Sequence, residues 1–152
     1  MILLDTNILL RIIEPAHPMH QTAVDALVVL TQAKETICIV PQTLYEFWVV
    51  ATRPRAHNGL GLPPAAAHAY CTGFVAVYHF LNDSTALFGE WQSLVLRTAT
   101  TGKTAHDARL VAAMTVHGIT RLLTFNANNF QRFAGITVLT PADILTPPPT
   151  TP

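Results

Sequence analysis

The stretch MILLDTNILL, residues 1–10, decides the fold predicted for this chain. Three apolar residues lead into Asp5, Thr6 and Asn7, after which an apolar helical pattern resumes. This order predicts a buried β-strand that ends where a helix begins. In open parallel sheets, ligands bind beyond the carboxyl ends of the strands. Asp5 is therefore the first candidate functional residue.

Length and composition predict one globular domain. A chain of 152 residues is long enough for one domain with a real core and short for two. We place the domain at residues 1–145 and expect the Pro/Thr-rich tail, 146–152, to be disordered. Half of the residues are apolar and only 12% are charged. This balance favours a sheet covered on both faces and some apolar surface that meets a partner.

The chain also lacks the sequence features of membrane and secreted proteins. No apolar run approaches the roughly 20 residues of a membrane span. Asp5 and Asn7 interrupt the first apolar run and no basic region precedes it, which is unlike a signal peptide. We therefore expect a cytoplasmic protein with no membrane partner. Nine basic and nine acidic residues give zero formal charge, so nucleic-acid binding has to depend on local basic patches.

Short apolar runs alternate with helical patterns along the chain. Strands are predicted at 2–4, 36–40, 121–125 and 135–139, with a possible short strand at 78–81. Helices are predicted at 20–34, 42–53, 64–81, 85–101 and 102–118. Alternation of this kind is typical of βαβ units and predicts an α/β fold with a mostly parallel sheet. The segment 53–64 is rich in glycine and proline and is predicted to be a mobile loop.

Three of the nine acids occupy positions that suggest chemistry. Asp5 ends a predicted strand, Glu46 lies in the first turns of an apolar helix, and Asp107 lies at the start of another. Two carboxylates about 4 Å apart repel by roughly 4 kcal/mol at an effective dielectric constant near 20. A divalent cation removes that penalty, and a site with only oxygen ligands favours Mg²⁺ or Mn²⁺.

The polar segments resemble those of a known family. They are LLDTN at 3–7, LYEF at 44–47, HDA at 106–108, LTFN at 123–126 and NF at 129–130. In order and spacing they are similar to PIN domains, and specifically to VapC-type toxins of bacterial toxin-antitoxin pairs. The resemblance runs from residue 1 to about residue 145. It implies a three-layer α/β/α fold and a metal-dependent ribonuclease that hydrolyses RNA and leaves 5′-phosphate ends.

The resemblance also implies roles for individual residues. Asp5, Glu46 and Asp107 match the metal ligands of the family, with Mg²⁺ or Mn²⁺ as cofactor. Asn126 takes a fourth catalytic position that is often Asp, and Asn129 stands where a second acid is common. Both are amides here, which removes formal charge from the site.

Further side chains are expected in the substrate-binding set: hydrogen-bonding groups that orient the site, which the resemblance implies for Thr6, Asn7 and Thr124, and cations that bind RNA phosphates. These are Thr6, Asn7, Thr124, Asn129, Arg53, Arg55, Lys103 and Arg109. The resemblance implies two protein partners as well: a cognate antitoxin that covers the acidic pocket, and a second copy of the chain in a homodimer.

Other functions with a strand-end aspartate fit less well. A phosphotransfer receiver requires paired acids at the first strand, and a haloacid-dehalogenase-type phosphatase requires Asp-x-Asp, whereas the third position here is Asn7. A dinucleotide-binding protein requires a glycine-rich turn after the first strand, which is missing. The remaining alternative is a non-catalytic PIN-like scaffold that binds a protein partner. The amides at Asn126 and Asn129 favour that alternative, and the three acids oppose it.

Overall fold

The computed structural model describes residues 1–146, so the predicted tail lies outside the described residues from residue 147 onwards. The strands in this range are β1 (Ile2–Leu4), β2 (Ile37–Ile39), β3 (His79–Phe80), β4 (Arg121–Leu123) and β5 (Thr137–Leu139). The α-helices are α1 (Thr6–Ile12), α2 (His20–Gln32), α3 (Pro41–Thr52), α4 (Pro64–Val77), α5 (Leu87–Arg97), α6 (Thr104–Val116) and α7 (Pro141–Leu145).

The five strands form one sheet in the order β3-β2-β1-β4-β5, and every pairing is parallel. β1 lies at the centre, where Leu3 pairs with Cys38 on one side and with Leu122 on the other. The predicted α/β fold with a mostly parallel sheet is thus confirmed, and the sheet is parallel throughout.

Both faces of the sheet are buried, as the apolar composition predicts. Side chains along β1 alternate between the faces, because successive residues of a strand point in opposite directions. Ile2 and Leu4 pack in a core that includes residues of α1 to α4, whereas Leu3 packs against α5 and α6. All three side chains are fully buried. The resulting three layers, helices on either side of a sheet, are those implied by the resemblance.

The topology brings two strand ends together at the centre of the sheet. From β1 the chain moves outward to β2 and β3, and then returns to add β4 and β5 on the opposite side. Ligand sites in open α/β sheets occur at such a reversal of strand order. Asp5 follows β1 and Thr124 follows β4 at this point, and the Asp5 amide donates to the Leu123 carbonyl at 3.0 Å.

The segment 53–64 differs from a free loop. It contains a 3₁₀ turn at Arg55–His57 and returns along the end of α3. The Leu60 amide donates to the Val50 carbonyl at 3.0 Å, and the Leu62 amide donates to the Ala51 carbonyl at 2.8 Å. These hydrogen bonds fix the segment to the helix, although its proline and glycine content predicts mobility.

Two smaller differences concern element ends. The predicted helix 64–81 ends at Val77, and the short strand β3 follows, as considered from the sequence. The turn predicted at 126–129 is a 3₁₀ turn, Ala127–Phe130, anchored by the buried Phe130 ring. In the part of the chain that the structure describes, no helix has the length and hydropathy needed to cross a membrane.

Candidate active site

Asp5 is held at the carboxyl end of β1 by side chains from two parts of the chain. Its Oδ2 atom accepts hydrogen bonds from Thr124 Oγ1 at 2.6 Å and from Asn7 Nδ2 at 2.7 Å. Asn7 Nδ2 also donates to Thr124 Oγ1 at 2.9 Å, and Asn7 Oδ1 accepts from the Phe125 amide at 3.1 Å. The carboxylate therefore has a fixed orientation at the reversal of strand order.

The surroundings of Asp5 disfavour its negative charge. The pKa of Asp5 is raised to about 6, mainly by burial and to a smaller extent by the nearby carboxylates of Glu46 and Asp107. The hydrogen bond from Thr124 opposes the increase in pKa but does not cancel it. A carboxylate that is ionised at neutral pH in such a place gains from a bound cation.

Glu46 is positioned by hydrogen bonds to both of its oxygens. Oε2 accepts from Thr6 Oγ1 at 3.1 Å, and Oε1 accepts from Gln42 Nε2 at 2.8 Å. The ring of His106 also lies near, with Nδ1 4.0 Å from Oε1. Thr6 directly follows Asp5 in the chain, so the same strand end positions both acids.

Gln42 is a part of the site that the sequence analysis missed. Its side chain is 5% exposed and joins α3 to α6. Besides Glu46, Nε2 donates to the His106 carbonyl at 2.8 Å, while Oε1 accepts from Arg109 Nη1 at 3.1 Å. The only available signal was its position four residues before Glu46, which places the two on one side of a helix.

Asp107 lies in the first turn of α6 and is partly buried. Its pKa is raised by burial and then by the charge of Glu46. The positive charges of His106 and Arg132 act in the opposite direction. Arg132 is thus a basic neighbour of Asp107 that the sequence analysis did not identify.

Three of the four predicted basic residues lie around one groove of about 690 Å³. Its polar lining is Thr6, Gln42, Glu46, Asp107, Arg53, Lys103, His106 and Arg109. Arg55 is separate, since it lines another cavity with Glu14 and Tyr70, and its Nε donates to the Leu60 carbonyl at 3.2 Å. The groove thus contains three cationic side chains together with Glu46 and Asp107, and cations of this kind can bind the phosphates of a polyanionic substrate.

The two predicted amides follow β4 and are exposed. The Asn126 backbone amide donates to Thr124 Oγ1 at 3.0 Å, which links it to the group that holds Asp5. The Asn129 backbone N–H donates to the Asn126 backbone carbonyl at 3.0 Å within the 3₁₀ turn. Their roles in catalysis and substrate binding stay predictions.

The oxygen donor atoms of the three acids suit a hard divalent cation. Asp5, Glu46 and Asp107 supply carboxylate oxygens, and their mutual repulsion contributes to the raised pKa values of Asp5 and Asp107. Within residues 1–146, no three His, Cys, Asp or Glu side chains are grouped closely enough to bind an ion together. Mg²⁺ commonly binds through one or two carboxylates and keeps several waters, so the arrangement fits this ion.

Comparison with known proteins shows what this chain is similar to. A family model described as the PIN domain matches residues 2–136. No curated protein matches the chain.

Several solved structures share the fold at low sequence identity. VapBC2 from Rickettsia felis, bound to a DNA fragment from its promoter, gives a TM-score of 0.69 at 16% identity, covering 92% of this chain and 98% of that one. DNA-bound VapBC from Salmonella typhimurium gives a TM-score of 0.66 at 22% identity, covering 92% of this chain and 97% of that one. VapC20 from Mycobacterium tuberculosis, a toxin that cleaves the sarcin-ricin loop, gives a TM-score of 0.63 at 18% identity, covering 85% of this chain and 92% of that one.

Proposed function

This chain belongs to the PIN domain family, and from that premise we propose that it is a divalent-metal-dependent endoribonuclease, the toxin of a VapC-type toxin-antitoxin pair. The observation that carries the proposal is Asp5, a carboxylate with a pKa raised to about 6 beside two further acids at the reversal of strand order. Such a carboxylate costs stability without a ligand, and functional sites commonly contain groups of this kind.

Asp5, Glu46 and Asp107 are the acids that would hold Mg²⁺ or Mn²⁺, with one or two of them binding the ion directly and the rest through its bound waters. Thr124 and Asn7 keep the Asp5 carboxylate in one orientation through bonds of 2.6 and 2.7 Å. When bound, the cation would stabilise charge on the phosphodiester and make water nucleophilic at neutral pH.

The basic residues of the groove would hold the RNA backbone. Arg53, Lys103 and Arg109 line it together with Glu46 and Asp107. Arg109 is held by Gln42, so its guanidinium has a defined position relative to Glu46. A fixed cation beside the acids orients a phosphate for attack and reduces the entropic cost of reaching the transition state. Asn126 and Asn129, exposed beside the site, would contribute amide groups to the substrate.

An antitoxin and a second copy of the chain are the proposed protein partners. The structural neighbours include toxin-antitoxin complexes, for example VapBC from Salmonella typhimurium. In this chain, α3 carries the exposed apolar side chains Tyr45, Trp48 and Val49, and two of them line the groove. Exposed apolar surface of this kind is typical of binding sites for other proteins. A cytoplasmic location accords with an RNA substrate and stays a prediction.

Cleavage of single-stranded RNA in Mn²⁺ tests the proposal. We expect products with 5′-phosphate ends from the wild-type protein, and none after addition of EDTA or in Asp5→Asn. The matched control is Asp25→Asn, which removes an acid from the polar face of α2, where Asp25 accepts a hydrogen bond from Gln21. Cleavage that persists both in EDTA and in Asp5→Asn would refute the proposal.

The non-catalytic scaffold is the second candidate, because no ready-made group of three ligating side chains exists in residues 1–146. The two candidates differ in metal binding. A ligand that binds only the native state at 100 times its Kd stabilises that state by about 2.7 kcal/mol. Mn²⁺ should therefore raise the melting temperature of the wild-type protein more than that of Asp5→Asn. Equal melting curves with and without Mn²⁺ would favour the scaffold.

A further inference from the structure

A second cavity adjoins the candidate active site through Arg109. It has a volume of about 380 Å³, within the range of roughly 300–1,000 Å³ that is typical of small-molecule sites. It is lined by Asp83, Ser84, Leu87, Phe88, Trp91 and Arg109. Arg109 also lines the acidic groove, so the cavity and the groove share a wall.

Two aromatic rings form the apolar side of this cavity. Phe88 is 63% exposed, and its ring centre lies 5.7 Å from that of Trp91, with 36° between the ring planes. Trp91 Nε1 donates to the Ala105 carbonyl at 3.0 Å, which fixes the indole against the start of α6. The cavity therefore offers an exposed aromatic ring on a rigid support, suited to stacking with a planar group.

The polar side of the cavity is a positioned guanidinium. Arg109 donates to Asp83 Oδ2 at 2.6 Å and to Gln42 Oε1 at 3.1 Å. A guanidinium has five N–H donors in a planar group, so it can also stack or donate to the acceptors of a heterocycle.

A docking site for another protein fits this surface less well than a single planar ligand does. The exposed residues of α5 nearest to Phe88, namely Gly89, Gln92 and Ser93, carry no large apolar side chain, and the exposed Leu96 lies further along the helix and outside the cavity. Protein interfaces are marked by wider apolar patches. Proteins bind unstacked bases by stacking them on aromatic side chains or guanidinium planes and by hydrogen bonds to their edges, and this cavity offers an aromatic ring and a guanidinium.

We infer that this cavity binds one unpaired nucleobase of the RNA, adjacent to the bond that is cleaved. The inference rests on the proposed ribonuclease function and adds a determinant of cleavage-site choice. Because Arg109 lines both the cavity and the acidic groove, a base stacked on Phe88 would have a cation beside it that can bind the adjoining phosphate. Single-stranded RNA would then be preferred over duplex, since a paired base cannot enter the cavity.

Binding of a fluorescein-labelled single-stranded RNA, measured by anisotropy in the inactive Asp5→Asn background, tests the inference. Loss of one base–aromatic stack costs about 1–3 kcal/mol, so Phe88→Ala should weaken binding about 5- to 150-fold. Phe88→Trp, which keeps a stacking ring, should retain affinity. The control is Leu96→Ala on the same helix, where the side chain is 80% exposed and outside the cavity. Unchanged affinity in Phe88→Ala, or an equal loss in Leu96→Ala, would overturn the inference.

A second readout identifies the bound group. The chain has two tryptophans, so a Trp48→Phe variant reports on Trp91 alone. Uridine 5′-monophosphate should quench its fluorescence, and ribose 5-phosphate should not. Equal quenching by the two compounds would assign the site to phosphate and overturn the inference. A Phe88→Ala variant with a changed oligomeric mass but an unchanged affinity for RNA would also overturn it.

The two proposals can fail separately. Phe88-dependent RNA binding without any Mn²⁺-dependent cleavage would refute the ribonuclease and leave the base-binding cavity in place. Mn²⁺-dependent cleavage with RNA binding that does not depend on Phe88 would refute the cavity alone.

Discussion

The Thr124 hydroxyl lies 2.6 Å from Asp5 Oδ2, although 119 residues separate the two in the chain. The contact exists because β1 and β4 are neighbours in the sheet and end at the same edge. It is the hydrogen bond that most lowers the pKa of Asp5 against the effect of burial. The two residues together define the point around which the other side chains of the site are arranged.

Asp5→Asn should stabilise the metal-free protein at neutral pH. The native pKa of about 6 lies above the ordinary value of 3.8, so between these values the native state binds more protons than the unfolded state. The free energy of unfolding therefore falls as pH rises through this window, and ionisation of Asp5 lowers it by up to about 3 kcal/mol at pH 7. The amide removes that cost.

Thermal melts in EDTA check this prediction. Asp5→Asn should melt several degrees higher than the wild-type protein at pH 7.5, and the difference should disappear near pH 4. A variant that melts lower than the wild-type protein at both pH values would contradict it.

Thr124→Val should disturb the site without altering the shape of the buried side chain. Thr124 is fully buried, and its hydroxyl contacts Asp5, Asn7 and the Asn126 amide. Loss of the hydroxyl leaves buried polar groups without partners, at a cost of about 1–3 kcal/mol. The free energy of unfolding in urea measures this cost.

The control for Thr124 is the serine variant, which retains the hydroxyl. Thr124→Ser should preserve Mn²⁺-dependent cleavage, whereas Thr124→Val should reduce it. Equal activity of the two variants would show that the Asp5 carboxylate does not need this hydrogen bond.

Gln42→Ala should reduce cleavage although Gln42 does not belong to the acidic set. It removes a hydrogen bond to Glu46 and the link to Arg109. Groups that orient metal ligands typically contribute 10- to 100-fold in affinity or activity, and we expect a loss of about this size. The measurement is the initial rate of RNA cleavage as a function of Mn²⁺ concentration.

Gln21→Ala is a matched control for Gln42. Gln21 Nε2 donates to Asp25 Oδ1 at 2.8 Å, the same length and the same four-residue spacing as Gln42 to Glu46, but in the exposed part of α2. It should have no effect on the cleavage rate. A similar loss in both variants would indicate a general effect on helix stability.

Asn126→Asp should strengthen metal binding by the free protein. The substitution adds a carboxylate to the residue whose backbone N–H donates to Thr124 Oγ1, and a larger ligand charge increases affinity for divalent cations. Isothermal titration with Mn²⁺ should show a several-fold lower Kd. Asn128→Asp adds the same charge two residues further along the same turn and should have a smaller effect. Equal effects would show that Asn126 acts only through long-range charge.

The sequence by itself determined the layers of the fold and singled out the acids of the candidate site. Continuous apolar runs marked the buried strands of a parallel sheet, and the alternation of runs with helical patterns implied that the strands run in the same direction. Asp5 could be placed at the site because its position depends only on where one strand ends. The PIN domain family, inferred from ordered motifs, is confirmed by the family match over residues 2–136.

Only the tertiary structure decided which side chains meet. Gln42 joins the site because α3 and α6 pack at a distance that its amide can span, and no local pattern encodes that distance. Arg55 is an arginine on the same segment as Arg53, yet the hydrogen bonds that turn the segment 53–64 back along α3 place it in another cavity. Local periodicity fixes the elements of a fold, whereas contacts between residues distant in sequence depend on how the packed elements are oriented.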